Sequence, residues 1–377
     1  MLRLVQRAEQ NVKYWVGFNI VPSIGPAKVR ALLDHFGDLE TAWHADSGAL
    51  KQAGMDRRAL YNLSRVRSQI DLDAEMAKLD KHHVTVLTWE DDAYPSLLKQ
   101  IYAPPPVLYV RGTLSIDDEW AVGVVGTRRA TSYGKQVARM LGADLARSNV
   151  TVVSGLARGI DGIAHQAALD AGGRTIAVMA CGLDQVYPPE HRKLAQAIVE
   201  NGALVSDYPL GTRPEARNFP PRNRIISGLS LGVVVVEAGR RSGALITAEF
   251  ALEQGREVFA VPGNIVSRTS VGSNRLIRDG ARMVLGVQDI LEELNLTMIE
   301  HQAEARAFLP ADPTEARLLN LVSDDPTHVD ELCRQSNLPI HEVSSTLAMM
   351  ELKGMVRQVG GMQYTLARES RAPYRIG

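Results

Sequence analysis

A chain of 377 residues, 45% of them hydrophobic, has room for two or three domains with real cores, which excludes a disordered protein. Its 42 Lys and Arg balance 43 Asp and Glu, so a globally basic nucleic-acid coat is excluded and any polyanion binding must come from a local patch. Cys181 and Cys333 stand outside any CxxC spacing, and no apolar run approaches the roughly 18 residues of a membrane span, so the expectation is a soluble protein of a reducing cytoplasm, without disulfides, a signal peptide or a membrane anchor.

Residues 1–78 read as a small helical domain, with apolar periodicity over 12–18, 29–36 and 59–70 broken by Gly and Pro. Within it, Val21 to Leu33 resembles a helix-hairpin-helix of the SAM-like kind, a Gly-containing turn leading into a helix whose first amides could hold a phosphate. The same pattern also suits an ordinary helical corner. Residues 79–114 are extended and proline-rich, strand-like at 84–88 and 107–110. They carry Trp89, Tyr94, Tyr102 and Tyr109, too many aromatics for a free linker, so a connector docked on the core is expected.

From 115 to 297, strands at 121–125, 150–154, 175–181, 203–206, 233–237 and 257–261 alternate with helices at 134–148, 161–171, 190–201, 222–229 and 243–254. This alternation specifies an α/β fold, a Rossmann-like, doubly wound, mostly parallel sheet with right-handed crossovers. The run from Gly232 to Val236 is apolar and β-branched enough to be buried on both faces. In such sheets the loops past the carboxyl ends of the strands form the ligand crevice, which makes Glu237 to Thr247 one wall of a site. An Ala/Glu/Gln-rich linker is expected over 298–313. Three helical stretches at 314–322, 327–337 and 338–352, the second capped by Thr327, then precede two short strands around Gly360-Gly361, a winged helix-turn-helix over 314–370.

Three sheet-edge loops combine Gly, hydroxyl and Arg. In the first, Gly126 permits close backbone approach, Thr127 and Arg128 can donate to phosphate, and a helix N-terminus points at the same place. It is not GxGxxG and has no Walker lysine, which argues against NAD and ATP, and no cofactor is expected. The second offers Gly155 for tight geometry, Ser154 and Arg158 as donors, and Asp161 as a helix cap. The third holds Arg240, Arg241 and Ser242, and Arg222 and Arg224 lie on the other side of the strand. Together they point to an anion site. Phe219 stands among Arg213, Arg217, Arg222, Asn223 and Arg224, an arrangement that suits base stacking beside phosphate contacts, or equally an aromatic anchor for the loop.

Other motifs carry less. Gly228-Leu-Ser-Leu-Gly232 satisfies GxSxG, but a nucleophile elbow needs a strand before the serine and a helix after it, and here the order is reversed. His165 and Asp161 at i,i+4 read as a helix-surface pair, and His82-His83 has no partners, so no metal is expected.

Val125-Gly-Thr-Arg-Arg129 with Tyr133-Gly134, Ser154 to Asp161, Gly182-Leu-Asp-Gln-Val-Tyr-Pro188, Phe219 to Ile226, Val235-Val-Glu-Ala238, Ser242-Gly-Ala-Leu245 and Val258 to Gly263, in this order, resemble the bacterial DNA-processing family DprA, also called Smf. The resemblance covers the sheet domain, and the flanking modules are similar to those of longer members. Thr127 stands where the family motif usually has Ser, Cys181 where small residues are common, and His191 where Asn is often seen. The resemblance implies a non-catalytic protein that binds single-stranded DNA, commonly as a homodimer, and hands it to the RecA recombinase during natural transformation. By motif position it implies DNA contacts at Gly126, Thr127, Arg128, Ser154, Gly155, Phe219, Arg222, Asn223 and Arg224.

Two alternatives compete with that reading. A Rossmann-like hydrolase of nucleoside monophosphates would have Glu237 and Glu249 as its candidate carboxylates, but the PGGxGTxxE arrangement is absent. A regulator reading duplex DNA would use the helix beginning at Leu338, which holds only Lys353 as a base near its far end, poor for groove binding. A partner-docking or weak DNA role fits that module better.

Overall fold

Short β-branched runs closed by turns build a nine-stranded sheet in the computed structural model, which describes residues 2–296, 313–319, 321–323, 326–352 and 356–366. The chain divides into two units, Met1–Leu296 and Thr297–Gly377. In the first, the strands are β1 Thr85–Thr88, β2 Val107–Gly112, β3 Ala121–Val125, β4 Thr151–Ser154, β5 Thr175–Val178, β6 Gly202–Ser206, β7 Gly232–Val235, β8 Glu257–Ala260 and β9 Arg282–Met283. Their spatial order is β1-β2-β6-β5-β4-β3-β7-β8-β9. All pairings from β6 to β9 are parallel, while β2 joins β6, and β1 joins β2, antiparallel. Every residue of β3, β4, β5, β6 and β7 is buried, as expected for strands covered by helices on both faces.

The position of β3 fixes where a ligand can bind. Successive strands β4, β5 and β6 step away on one side of it, and β7, β8 and β9 on the other. The order therefore reverses between β3 and β7, and the loops leaving their carboxyl ends diverge to opposite faces and open a crevice.

The N-terminal helices, of which Leu2–Ile20, Pro26–Phe36 and Arg57–Arg67 are the longest, are punctuated by aspartates. Asp38, Asp46, Asp56 and Asp71 each accept from amides of the helix that follows. Pro26 opens its helix behind Gly25, and Lys28 at this corner is tied to Ser23 O and to Asp56. Trp15 and Phe18 are buried and meet Trp89 and Trp43 edge to face at 5.9 and 5.2 Å. Each such side chain contributes on the order of 2–3 kcal/mol by burial alone. Trp89 belongs to the proline-rich stretch, and Tyr109 of β2 donates from its hydroxyl to Asn19 Oδ1 at 2.9 Å. One continuous core therefore runs from the helices through the 79–114 stretch, which supplies β1 and β2, into the sheet.

In the second unit, helices Pro313–Leu319, Val329–Ser336 and Ile340–Leu352 pack with β10 Thr327–His328, β11 Val356–Gly360 and β12 Gln363–Leu366, in the order β10-β12-β11. Leu318, Leu332, Val343, Leu347, Val356 and Tyr364 form its core. This is a winged helix. Two local expectations are corrected: Thr327 lies in a third strand, and the helix after it begins at Val329, capped by His328 Nδ1, which accepts from the Asp330 amide at 3.3 Å. Lys353 and the expected linker, apart from Pro313, lie outside the described residues. Among the described residues no helix is long and apolar enough to cross a membrane.

Candidate functional site

The crevice beyond β3 and β7 has a volume of about 640 Å³ and is lined by residues of the segments that follow β3, β4, β5, β6 and β7. Behind them begin the helices Ser132–Arg147, Ile160–Asp170 and Gly243–Glu253, each following a strand, so their N-termini lie on the carboxyl side of the sheet. The amide dipoles favour negative charge there. Arg128, Arg222, Arg240 and Arg241 line the same space against one carboxylate, Asp161, among the described residues.

The β3 loop is held from β7. Thr127 N donates to Glu237 O at 2.7 Å, Thr131 N donates to Glu237 Oε2 at 2.9 Å, and Thr131 caps the following helix through the Gly134 amide. A side chain at Gly126 would run into Ile160 and the Glu237 carbonyl, so glycine is what lets strand, helix and loop meet. Glu237 is thus buried and engaged as a brace. Glu249 is exposed on its helix and does not line the crevice, so the two carboxylates of the hydrolase alternative do not meet there.

The β4 loop is organised by two buried groups of opposite charge, Asp161 and Arg222, each bonded to loop backbone. Asp161 Oδ2 accepts from Gly155 N at 3.2 Å and from Ala157 N at 3.4 Å, while Arg222 Nη1 donates to Gly155 O at 2.9 Å and to Val178 O. Asp161 was expected to cap a helix. The helix is instead capped at Gly159, and the carboxylate lies inside its first turn, reaching back to the loop amides. Burial pushes the Asp161 carboxyl up, against the pull of Arg222, and pushes Arg222 down to about 10, which leaves it cationic at neutral pH. Gly155 has no side chain because the Arg222 guanidinium occupies the place of its Cβ.

The residues singled out in the sequence thus separate into two sets. Facing the crevice are Gly126, Thr127, Arg128, Phe219, Arg222, Asn223, Arg240, Arg241 and Ser242. Of these, Arg128, Arg240 and Arg241 are exposed, and their side chains make no hydrogen bond or ion pair among the described residues. Arg222 is only 3% exposed and Asn223, whose Nδ2 donates to Gly243 O at 3.2 Å, only 9%. Ser242 caps the Gly243–Glu253 helix. The others are placed elsewhere. Ser154 is fully buried and donates to Val124 O at 2.6 Å, Gly155 is buried, and Arg158 pairs with Glu190. Arg224 turns away, its guanidinium tied to Ala103 O and to Asp207 Oδ2 at 2.8 Å.

Phe219 is half-buried at the mouth. Its ring meets Tyr187 edge-on at 5.7 Å and lies 4.9 Å from the Arg128 guanidinium carbon and 5.8 Å from that of Arg222. Tyr187 was not singled out for this cluster by the residues alone, whereas Glu237 was expected on the crevice wall and lies behind it as a brace. The helix also begins earlier than its sequence suggests, at Phe219 rather than Arg222, with Pro220 and Pro221 in its first turn. Ser230 is buried and donates to Ile226 O at 2.8 Å, inside the fold. His165 is buried as well, and its Nδ1 meets Thr175 Oγ1 at 2.6 Å.

Such a molecule is a doubly wound α/β protein with an arginine-lined crevice at its switch point and an aromatic at the crevice mouth. Comparison with known proteins gives it a family. Residues 85–295 match the family model of the DNA recombination-mediator protein A, and residues 302–362 match that of the DprA winged helix domain. The chain belongs to the DprA/Smf family of DNA-processing proteins. It is 41% identical over 333 residues to protein Smf of Escherichia coli, covering 86% of this chain and 88% of that one. With the DNA processing protein DprA of Bacillus subtilis it is 48% identical over 202 residues, 53% of this chain and 68% of the relative. The solved DNA processing protein A of Streptococcus pneumoniae superposes with a TM-score of 0.66 at 35% identity, covering 74% of this chain and 97% of that one. That of Helicobacter pylori, described for its single-stranded DNA binding mode, gives 0.51 at 32%, covering 56% and 97%.

Proposed function

We propose that this chain binds single-stranded DNA in the switch-point crevice without sequence specificity and, as a cytoplasmic homodimer, delivers it to the RecA recombinase in homologous recombination and natural transformation, with no catalytic step. The observation that carries the binding claim is the pairing of an exposed Arg128, which makes no hydrogen bond or ion pair among the described residues, with the Phe219 ring at the mouth of an arginine-lined crevice. Phosphates are held by Arg128, Arg240, Arg241, Ser242 and the helix N-termini, and a base stacks on Phe219 beside Tyr187. Every base has a π-face, so such stacking tolerates any sequence. Arg222 and Asn223 line the crevice but are largely buried and hold its loops in place, Ser154, Gly155 and Arg224 support the loops from behind, and Arg158 lies beside the path. RecA delivery and dimerisation rest on family membership, and the winged helix serves partner docking or weak DNA contact.

The hydrolase alternative draws no support from the crevice, where Asp161 is the one lining carboxylate among the described residues and is engaged by loop amides and Arg222. Fluorescence anisotropy with labelled oligo-dT, single-stranded against duplex at two salt concentrations, tests the binding claim. Tight, salt-sensitive binding that prefers the single strand is expected; a preference for duplex, or release of free base from nucleotides, would overturn it. The RecA claim is tested by the lag in RecA filament growth on coated single strands, which the full chain should shorten.

A further inference from the structure

A second groove of about 830 Å³ lies beside the crevice, between the helices Ser132–Arg147 and Ile160–Asp170 and the start of Arg192–Glu200. Arg128 lines both spaces. Beyond it the groove carries Arg129, Lys135, Arg139, Arg147 and Lys193, all exposed. Lys135, Arg139, Ala143 and Arg147 follow one another at four-residue steps, so they form a single stripe about 18 Å long on one helix face. The opposite wall contributes Lys193.

Charge in this groove is not spent internally. Arg147 is paired with Asp144, but the side chains of Arg129, Lys135, Arg139 and Lys193 have no hydrogen bond or ion pair among the described residues. The two acids that share the groove are engaged already: Glu190 pairs with Arg158, and Asp170 accepts from Gln166 Nε2 at 2.8 Å. In a chain with no net excess of basic residues, four unpartnered cations along one groove form a concentrated local field. Ala143 in the middle of the stripe keeps the floor low enough for a strand to lie against the helix. The groove is lined by no Phe, Tyr or Trp among the described residues, and its one imidazole, His191, is tied to Leu156 O at 2.9 Å, so it suits a backbone better than a stacked base.

We propose that this groove is a second track for the same single strand, which leaves the crevice over Arg128 and runs along the Ser132–Arg147 helix with its phosphates on Arg129, Lys135, Arg139 and Lys193. The proposal rests on the crevice binding single strands. Bases are stacked in the crevice, while the track takes the sugar-phosphate chain alone and adds length-dependent, sequence-blind affinity.

The experiment compares the full chain with the Lys135→Ala, Arg139→Ala double variant, using an oligo-dT of about 6 nucleotides, enough for the crevice, and one of about 24, long enough for both. Both substituted side chains are exposed on a helix surface, and the charge-conserving Lys135→Arg, Arg139→Lys variant serves as rescue. Expected is a loss of about tenfold on the long oligonucleotide, with a salt slope smaller by about 1.4, no change on the short one, and recovery in the rescue variant. If the short oligonucleotide binds and the double variant holds the long one as the parent does, the track is wrong and the crevice reading stands. Equal losses on both lengths would reduce the stripe to a general field and overturn the track. If the parent binds neither length, the crevice reading falls and the track with it.

Discussion

The Arg128 guanidinium lies over the Phe219 ring, its central carbon 4.9 Å from the ring centroid, with the arginine exposed and the phenyl ring half-buried. Arg222 approaches the same ring at 5.8 Å but is buried and bonded to two backbone carbonyls. One arginine is available to a ligand and the other is committed to the fold.

Phe219→Ala should weaken oligo-dT binding by about 1–3 kcal/mol with the salt slope unchanged, because it removes a stacking surface and no charge. Arg128→Ala should lower the slope by about 0.7, one phosphate contact. Since the two side chains touch, the double variant should deviate from additivity by at least about 0.5 kcal/mol. Anisotropy titrations of the four proteins across a salt series give all three quantities.

Arg224→Gln should cost roughly 1–3 kcal/mol of stability and leave the salt slope of single-strand binding as it was. Its guanidinium joins the Phe219–Gly228 helix to Ala103 and to the largely buried Asp207, so its loss leaves polar groups unsatisfied inside the fold. Denaturant melts and salt titrations decide the point; a lowered slope would return Arg224 to the DNA contacts.

Gly155→Ala should drive a methyl group into the Arg222 guanidinium and destabilise the protein by about 1–3 kcal/mol. Arg222→Met should cost more, about 3–5 kcal/mol, because Asp161 would be left buried without its counter-charge. Combined in one chain, the two changes should cost less than their sum, the glycine having lost the neighbour it makes room for. Urea unfolding of the two single variants and the double measures this.

Acid should weaken the fold partly through His165. Burial, reinforced by His191 and Arg222, pushes its pKa down to about 3 from the ordinary 6.5. Below 6.5 the unfolded chain takes up a proton that the folded chain refuses, so this contribution to stability is complete above that pH and is lost as the pH falls toward 3. Its slope approaches about 1.4 kcal/mol per pH unit. His165→Gln removes the titration, so the stability difference between parent and variant should shrink from pH 6.5 to 4. A difference independent of pH would show that His165 is not held neutral.

The sheet was legible because Val122 to Val125, Val152-Val153 and Val233 to Val235 are apolar runs that only a doubly covered strand can hide. Loop chemistry was legible where glycine, hydroxyl and arginine recur at strand ends, as at Gly126 to Arg128. Which arginine faces outward was not. Arg128, Arg222 and Arg224 look alike in sequence, and their fates depend on Phe219, Asp161 and Asp207, partners brought together only by the sheet order and by the phase of one helix. That phase had a signal, since Pro220-Pro221 marks a first helical turn and puts Phe219, Arg222 and Ile226 on one face. Tyr187 gave none beyond its place before Pro188. The antiparallel addition of β1 and β2 at the sheet edge was equally hidden, because a strand's neighbour is set by topology and not by its own residues.

The most direct test of where the strand lies is photocrosslinking of the full chain to an oligo-dT carrying halogenated uracil, with the crosslinked peptides sequenced by mass spectrometry. A single strand stacked at the crevice mouth gives crosslinks on Phe219 and Tyr187, lost in Phe219→Ala. Crosslinks confined to the winged helix or to the N-terminal helices, with none at the crevice, would contradict the binding site described above.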